Sequence, residues 1–433
     1  MRIMLTFIQQ NEMTVALILF ALTYILLLAL PNHRHWVALV SAALFVVLGI
    51  LELRSVPGAI DWNVLMMIAG TMGLVSIFID SGMPSLMADV LLDKVSTVRA
   101  TIIALSLFAG IVSAFVDNVA TVLMIAPVAL AIAKKFNISP VPMIIAISVS
   151  SNLQGAATLV GDTTSILLGG AADMDFMDFF WFRGRPGMFF VVEIGAGLTA
   201  FVLLWLFRRD RQKTEAKEHT VVTDYLPTVL LAGTVLLLIG VSFFPNRPSI
   251  TNGVICMSMF LIGLVANILK KKNASALTKP LKEVDYQTLL LLAGLFVVIG
   301  GITEAGVIDA IADVFRKIGG GNVFVIYTIV VWASVLFSAF IDNIPYVATM
   351  LPVMAKLSMG LGVEPYLLYF GLLTGATLGG NLTPIGASAN ITSIGLLRKE
   401  GYEVRTRDFM RIGVPFTLTA VITGYLLVWF LWK

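Results

Sequence analysis

Long apolar runs, broken at intervals by short polar clusters, set the pattern of this chain. A helix needs about 20 mostly apolar residues to cross a bilayer core. Runs of that kind lie at 13–30, 36–53, 62–80, 189–207, 226–244, 250–269, 286–303 and 412–431, and each predicts one simple span. Two further apolar regions, 141–170 and 365–396, are interrupted by Gly, Pro, Asn and Thr and read as broken helices. Regions 97–135 and 322–357 are too long for one span, and each has a polar pair at its middle, Asp117-Asn118 and Asp342-Asn343. A re-entrant hairpin accounts for both: two arms enter and leave by one face, with the polar turn buried at mid-depth. Backbone of that kind survives in lipid only where protein or a wet cavity surrounds it. Two full spans per long region is the plainer alternative, and the buried polar tips favour the hairpin.

The halves repeat. Ile60-Asp61-Trp62-Asn63 and Ala69-Gly70 match Val284-Asp285-Tyr286-Gln287 and Ala293-Gly294 at an offset of 224, as Asp80-Ser81-Gly82 matches Glu304-Ala305-Gly306. Ser113 to Val119 (SAFVDNV) matches Ser338 to Ile344 (SAFIDNI) at 225, and Pro127, Gly155, Thr158 and Gly161 match Pro352, Gly380, Thr383 and Gly386. Each half holds five full spans, an odd number, so the second inserts upside down relative to the first. Inverted repeats with interrupted helices are the architecture of secondary transporters, whose substrate site lies where the halves meet. The expected fold is therefore an all-α polytopic membrane protein of two inverted-topology repeats, each with five spans, one re-entrant hairpin and one interrupted helix. Repeat 1 covers 1–210, a cytoplasmic linker 211–224, and repeat 2 covers 225–433.

Composition agrees. Of 433 residues, 58% are apolar and 13% charged, against about 25% charged in a soluble protein, and mean hydropathy is +0.94. That excludes a disordered chain, a nucleic-acid binder and a soluble core. A β-barrel would alternate over short segments instead. The lone Cys256 excludes an internal disulfide and a cysteine metal cluster. The stretch Met13–Leu30 lacks a strong basic start and a small-residue exit, so it reads as a retained helix and not a signal peptide. Three loops hold 15 of the 29 basic residues: Arg208, Arg209, Arg211, Lys213 and Lys217; Lys270, Lys271, Lys272, Lys279 and Lys282; Arg398, Lys399, Arg405, Arg407 and Arg411. Basic loops stay cytoplasmic. This predicts a multi-pass protein of the cell (inner) membrane with both termini outside, the first hairpin opening to the cytoplasm and the second outward.

Candidate chemistry lies at the hairpin tips and in the broken helices. A charged carboxylate deep in a bilayer costs several kcal/mol unless paired, wetted or protonated. Asp117 and Asp342, in repeat-related places with Asn118 and Asn343, therefore suggest a proton or Na⁺ site, with amide and backbone oxygens completing the shell. The blander reading is that each Asp caps the arm it starts. The broken helices add Asn152, Thr158, Asp162 and Thr163 from the first half, and Asn381, Thr383, Ser388 and Asn390 from the second. Glycine allows backbone to unwind there, freeing carbonyl and amide groups for a ligand, although small residues also serve helix packing. Asp162 has Ala387 as its counterpart and ranks behind the tips. Asp80 and Glu304 sit at span ends and read, with His33 and His35, as solvated groups, and Glu193 is a weaker candidate. The nineteen methionines read as packing. There is no Walker motif, so ATP is not hydrolysed by this chain. No cofactor is expected beyond H⁺ or Na⁺ as the coupling ion.

The sequences SAFVDNV at 113–119, SAFIDNIP at 338–345 and GNLTPIGASAN at 380–390 resemble the ion transporter superfamily. The likeness is greatest to the branch of arsenite efflux permeases, NhaD-type Na⁺/H⁺ antiporters and the P protein, and covers nearly the whole chain. It implies a scaffold with a moving transport domain, often dimeric, and, for an arsenite pump, a soluble ATPase partner besides the lipid bilayer. Symporter relatives carry Ser-Asn-Thr at the tips where this chain has Asp-Asn-Val and Asp-Asn-Ile. The leading expectation is a proton-coupled antiporter exporting a small inorganic species, arsenite or antimonite, since As(OH)₃ is neutral near pH 7. Rivals are a Na⁺/H⁺ antiporter and a Na⁺- or H⁺-coupled anion or dicarboxylate symporter. An intramembrane aspartyl protease also uses two membrane Asp residues, but on full helices; a passive channel would not need the repeat.

Overall fold

The protein is described here from a computed structural model, which covers residues 11–210, 212, 220–222, 224–244 and 246–433. Most of the 211–224 linker, with Arg211, Lys213 and Lys217, lies outside the described residues. In the first half the helices are α1 (Glu12–Ala29), α2 (Arg34–Val47), α3 (Trp62–Asp80), α4 (Met83–Leu92), α5 (Val98–Ser113), α6 (Asn118–Phe136), α7 (Val141–Gly155), α8 (Thr163–Ala172) and α9 (Met188–Leu206). A two-residue ribbon, β1 (Trp181–Phe182) and β2 (Arg185–Pro186), precedes α9. The second half has α10 (Leu226–Val241), α11 (Thr251–Lys271), α12 (Ser275–Glu283), α13 (Tyr286–Glu304), α14 (Val307–Ile318), α15 (Val323–Ser338), α16 (Asn343–Leu361), α17 (Tyr366–Leu373), α18 (Ser388–Lys399) and α19 (Thr406–Trp432).

The repeat is written in the helix ends. Asp61 caps α3 by accepting from the Val64 amide at 3.0 Å, and Asp285 caps α13 through the Thr288 amide at the same distance. Gly82 and Gly306 follow those helices in the left-handed region, at φ +77° and +75°, which glycine alone enters without strain. Thr97 and Asn322 cap the first hairpin arms, α5 and α15. Among the described residues, α1, α3, α6, α9, α11, α13, α16 and α19 are long and apolar enough to cross a membrane. Two expected spans are shorter. The 36–53 run stops at Val47, because Gly49 turns the chain at φ +76°, and the 226–244 run stops at Val241. Three segments read from sequence as connections are helices: α4, α12 and the amphipathic α14, which meets α15 at 115°.

Packing brings the hairpin arms together. Helix α7 runs beside both α5 and α6, and its C-terminal end reaches the α5–α6 turn, where Asn118 bonds Asn152. Were α5 and α6 one continuous helix, α7 could not lie along both; the buried tips, with Asn118 and Asn343 shielded by protein, are what favour a re-entrant pair over two full spans. In the second half α17 packs along α15 and α16 in the same way. The arms α5 and α6 have 16 and 19 residues, or about 24 and 28 Å. The longer arm exceeds half a ~30 Å hydrocarbon core, so Lys134 and Lys135 at its end stand clear of it. Helix α17 is apolar on every side and α7 through its first half, and both are buried along nearly all their length, as central helices must be; the polar residues of α7, from Ser148 to Gln154, lie in its second half.

Helices from the two halves interlock. Helix α3 packs on α11, and its counterpart α13 on α2. Half-helix α8 packs on α16, and α18 on α6. The basic segments share one face. Lys279 and Lys271 reach Asp80 at 2.5 and 3.8 Å, Lys270 reaches Asp224 at 3.1 Å, and the Val98 and Arg99 amides bond Gln212 and Asp210. Lys134 pairs with Glu400 at 2.7 Å, and one cleft joins Ser139, Phe207, Asp210, Glu403 and Arg411. The opposite face carries the β1–β2 ribbon, whose Arg185 donates to the Leu431 carbonyl near the end of α19.

Candidate functional site

Each tip starts a helix with an Asp cap. Asp117 Oδ2 accepts from the amides of Val119 and Ala120 at 3.0 and 3.1 Å. Asp342 Oδ1 accepts from the Ile344 amide at 3.2 Å. Capping therefore occurs in both halves, and it uses one oxygen of each carboxylate. The turn that interrupts each broken helix is clasped to the neighbouring tip by a threonine: Thr158 donates to the Ala114 carbonyl and Thr383 to the Ala339 carbonyl. Gly161 and Gly386 permit this approach. A Cβ on Gly161 would sit 2.5 Å from the Gly155 carbonyl oxygen and 2.6 Å from that of Ser113. On Gly386 it would sit at the same distances from the carbonyl oxygens of Gly380 and Ser338.

A buried polar network joins the first tip to the broken helices. Asn118 Nδ2 donates to Asn152 Oδ1 at 3.0 Å and to Asp162 Oδ1 at 3.4 Å. Thr164 donates to Asp162 Oδ2 at 2.6 Å and lies 2.8 Å from the Thr377 hydroxyl. Asn152 donates to the Thr377 carbonyl at 2.8 Å, and Asn381 to that of Val149 at 2.9 Å. Asn390 accepts from Ser148 at 2.7 Å and donates to the Gly380 and Thr383 carbonyls at 3.2 Å. The network crosses between the halves where α7 meets the segment 374–382, a π-helical turn at Thr374–Leu378 followed by a 3₁₀ turn at Gly380–Leu382. Buried amides bonded across the halves in this way favour one arrangement of the backbone.

A cavity of about 380 Å³ opens between α3, α12, α13 and the tips, lined by Asp117, Asn118, Asp162, Thr163, Asn343 and Ser388. Asp80, Glu283, Asp285 and Thr288 also line it, with Lys279, which is paired with Asp80. The cavity thus lies toward the face of the basic segments. The second Asp117 oxygen, Oδ1, accepts no protein hydrogen bond among the described residues and is left to the cavity. Asp342 differs. It does not line the cavity; its Oδ2 accepts from Arg34 NH1 at 3.0 Å and from Ser388 at 3.3 Å. Tyr24 closes the same side of that tip, donating to the Pro345 carbonyl at 2.7 Å and bonding Thr349. No group of three His, Cys, Asp or Glu side chains converges among the described residues. A cation at the first tip would be held by carboxylate with amide, hydroxyl or backbone oxygens.

The structure brings six of the sequence-derived candidates to one cavity, namely Asp117, Asn118, Asp162, Thr163, Asn343 and Ser388. Asn152, Asn381 and Asn390 lie in the network behind it, Thr158 and Thr383 act as clasps, and Asp342 faces Arg34. Glu304 is exposed, Glu193 half-buried in α9, and His33 exposed. Asp80 is not simply solvated: it is paired and lines the cavity. Sequence reasoning missed Glu283, Asp285, Arg34 and Tyr24. The repeat offered a signal for Asp285, the match of Asp61. Arg34 carries none, because its partner is 308 residues away.

Comparison with known proteins places these features in a family. The chain is 30% identical over 427 residues to the 46 kDa membrane protein of Mycobacterium leprae, covering 96% of this chain and 98% of that one. It is 28% identical over 507 residues to the P protein of Homo sapiens, covering 97% of this chain and 60% of that one. The fold matches the YdaH transporter of Alcanivorax borkumensis, a structure described as having an unusual topology, with a TM-score of 0.62 and 14% identity. That match covers 91% of this chain and 96% of the other. MtrF of Neisseria gonorrhoeae, described among antimetabolite efflux pumps, matches with a TM-score of 0.53 and 16% identity, covering 84% and 80%. The family profile described as citrate transporter matches residues 17–375, and the chain accordingly belongs to the citrate transporter family of the ion transporter superfamily, as a multi-pass membrane transporter.

Proposed function

We propose that the protein is a proton-coupled secondary antiporter that exports a small inorganic species, and that Asp117 with Asp162 carries the coupling ion. One observation carries the reading: the cavity at the tips is acid-rich. Asp80, Asp117, Asp162, Glu283 and Asp285 line it against a single Lys279 that Asp80 already neutralises. Such a lining repels a free di- or tricarboxylate at close range and attracts a cation. It tolerates a neutral hydroxide such as As(OH)₃, which the amides and hydroxyls of Asn118, Thr163 and Ser388 can bond. Arsenite or antimonite is the leading substrate. Na⁺ is the second reading, favoured by the free Asp117 oxygen beside Asn118.

In this mechanism a proton or Na⁺ binds Asp117 when the cavity faces one side and leaves when it faces the other. Neutralising the carboxylate removes much of the penalty of carrying it through a closed intermediate. The Asp162 carboxylate, held by Asn118 and Thr164, links occupancy of the first tip to the network at Thr377 and so to the second half. Basic loops on one face support a cytoplasmic assignment for that face, with both termini outside. The test is flux in proteoliposomes under an imposed pH gradient, with arsenite, Na⁺ and citrate side by side. Gradient-driven movement of arsenite or Na⁺, without citrate uptake, is expected. Uptake of citrate alone, with neither of the others moving, would overturn the reading.

A further inference from the structure

The two tips match residue for residue, yet their carboxylates end in different company. The Asp342 oxygen left over from capping takes the Arg34 guanidinium at 3.0 Å. The corresponding Asp117 oxygen faces the cavity, and among the described residues no basic nitrogen lies within 4.0 Å of that carboxylate. We infer that Arg34 serves as a built-in cation for the second tip, so that the transporter binds its coupling ion at the first tip alone. The inference rests on the proposed role of Asp117 but concerns the other half of the molecule.

The repeat shows why only one tip has such a residue. Gly70 and Gly294, 224 apart, each meet a partner helix: Gly70 meets Cys256 and Met257 on α11, and Gly294 meets Ala38 on α2. Ala38 therefore corresponds to Cys256. A second pair agrees, since Gly301 meets Phe45 where Gly263 meets Ile77. In that register the counterpart of Arg34 is Asn252, which is neutral and lines a separate cleft with Asp61 and Asp173. A guanidinium suits a permanent occupant. It stays charged at every pH a cell meets, and its chain holds it in place, where Nε also donates to the Leu27 carbonyl at 3.3 Å. Ser388 adds a further bond to the same Asp342 oxygen. A mobile cation would have to displace an ion that cannot leave.

The experiment is driven flux in proteoliposomes as a function of Na⁺ at fixed pH, and of pH at fixed Na⁺, for the wild type, Arg34→Gln, and Arg34→Gln/Asp342→Asn. The wild type is expected to depend on the driving ion to first order. Arg34→Gln exposes Asp342, so its dependence should steepen toward second order, or its flux should fall at least tenfold while the protein remains monodisperse. The double variant removes both charges and should return to first-order flux within about threefold of wild type. Arg34→Gln with first-order flux at the wild-type rate would overturn the inference. So would a monodisperse double variant that stays as inactive as the single one, or one that keeps the steepened order. Asp117→Asn tests the proposed coupling site separately: if it keeps driven flux, that site is wrong, whatever the Arg34 series shows.

Discussion

The hairpin tips at Asp117 and Asp342 share sequence, cap geometry and clasping threonine, and differ in what stands opposite the free carboxylate oxygen. At the first tip it is an acid-lined cavity; at the second it is Arg34, with Tyr24 closing over the adjoining helix. A repeat fixes backbone by symmetry, but charge is settled by neighbours outside the repeated motif. The second tip has the features of a structural ion pair and the first those of a working site, although the motifs alone would assign them equal roles.

Substitution should expose the inequality. The largest effect is expected for Asp117→Asn, which keeps the shape and one cap acceptor while removing the charge. Loss of a buried carboxylate–cation interaction worth about 3 kcal/mol lowers driven flux about 100-fold, measured against unchanged insertion and stability. Asp342→Asn acts otherwise, leaving Arg34 without its counter-ion. The pair is partly reached by solvent, so a loss of about 1–2 kcal/mol is expected, below the fully buried range. It should appear as a lowered Tm that Arg34→Gln restores; a Tm unchanged in Asp342→Asn would remove the ion pair from the account.

Glycines give the control. Gly161→Ala and Gly386→Ala drive a methyl group into backbone oxygens at matching distances in the two halves. Each should destabilise by about 1–3 kcal/mol, and by similar amounts, as read from thermal unfolding in detergent. Unequal losses there would mean that the halves differ in packing as well as in charge. The smallest effect is at the mouth of the cavity. Lys279→Ala removes the nearer of the two lysines on Asp80 and leaves Lys271 at 3.8 Å, making the lining more acidic, so apparent cation affinity should rise about twofold at low salt and return to wild type at high salt.

Much of this was legible in the sequence. The spans followed from apolar runs, the inverted repeat from the matches at 224 and 225, and the hairpins from polar pairs that lipid cannot accept unshielded. Asp117, Asn118, Asp162 and Ser388 were marked by being polar where the chain is otherwise apolar. What escaped depends on distance along the chain. Arg34 lies between two apolar runs in the sequence, at the start of α2 beside exposed His33, and looks like surface until the fold sets it against Asp342. Asp80 and Glu283 resemble ordinary interfacial charges until α12 folds back over α3. The shortened α2 and α10 escaped because hydropathy registers apolar residues and not the backbone turns that end a helix.

The inequality of the tips is tested most directly by ion-driven flux in proteoliposomes of Asp117→Asn compared with Arg34→Gln/Asp342→Asn, each variant lacking the carboxylate at one tip. The account predicts that the first is about 100-fold slower than wild type, while the second stays within about threefold. Equal loss in both variants, or driven flux at the wild-type rate in Asp117→Asn, would contradict it.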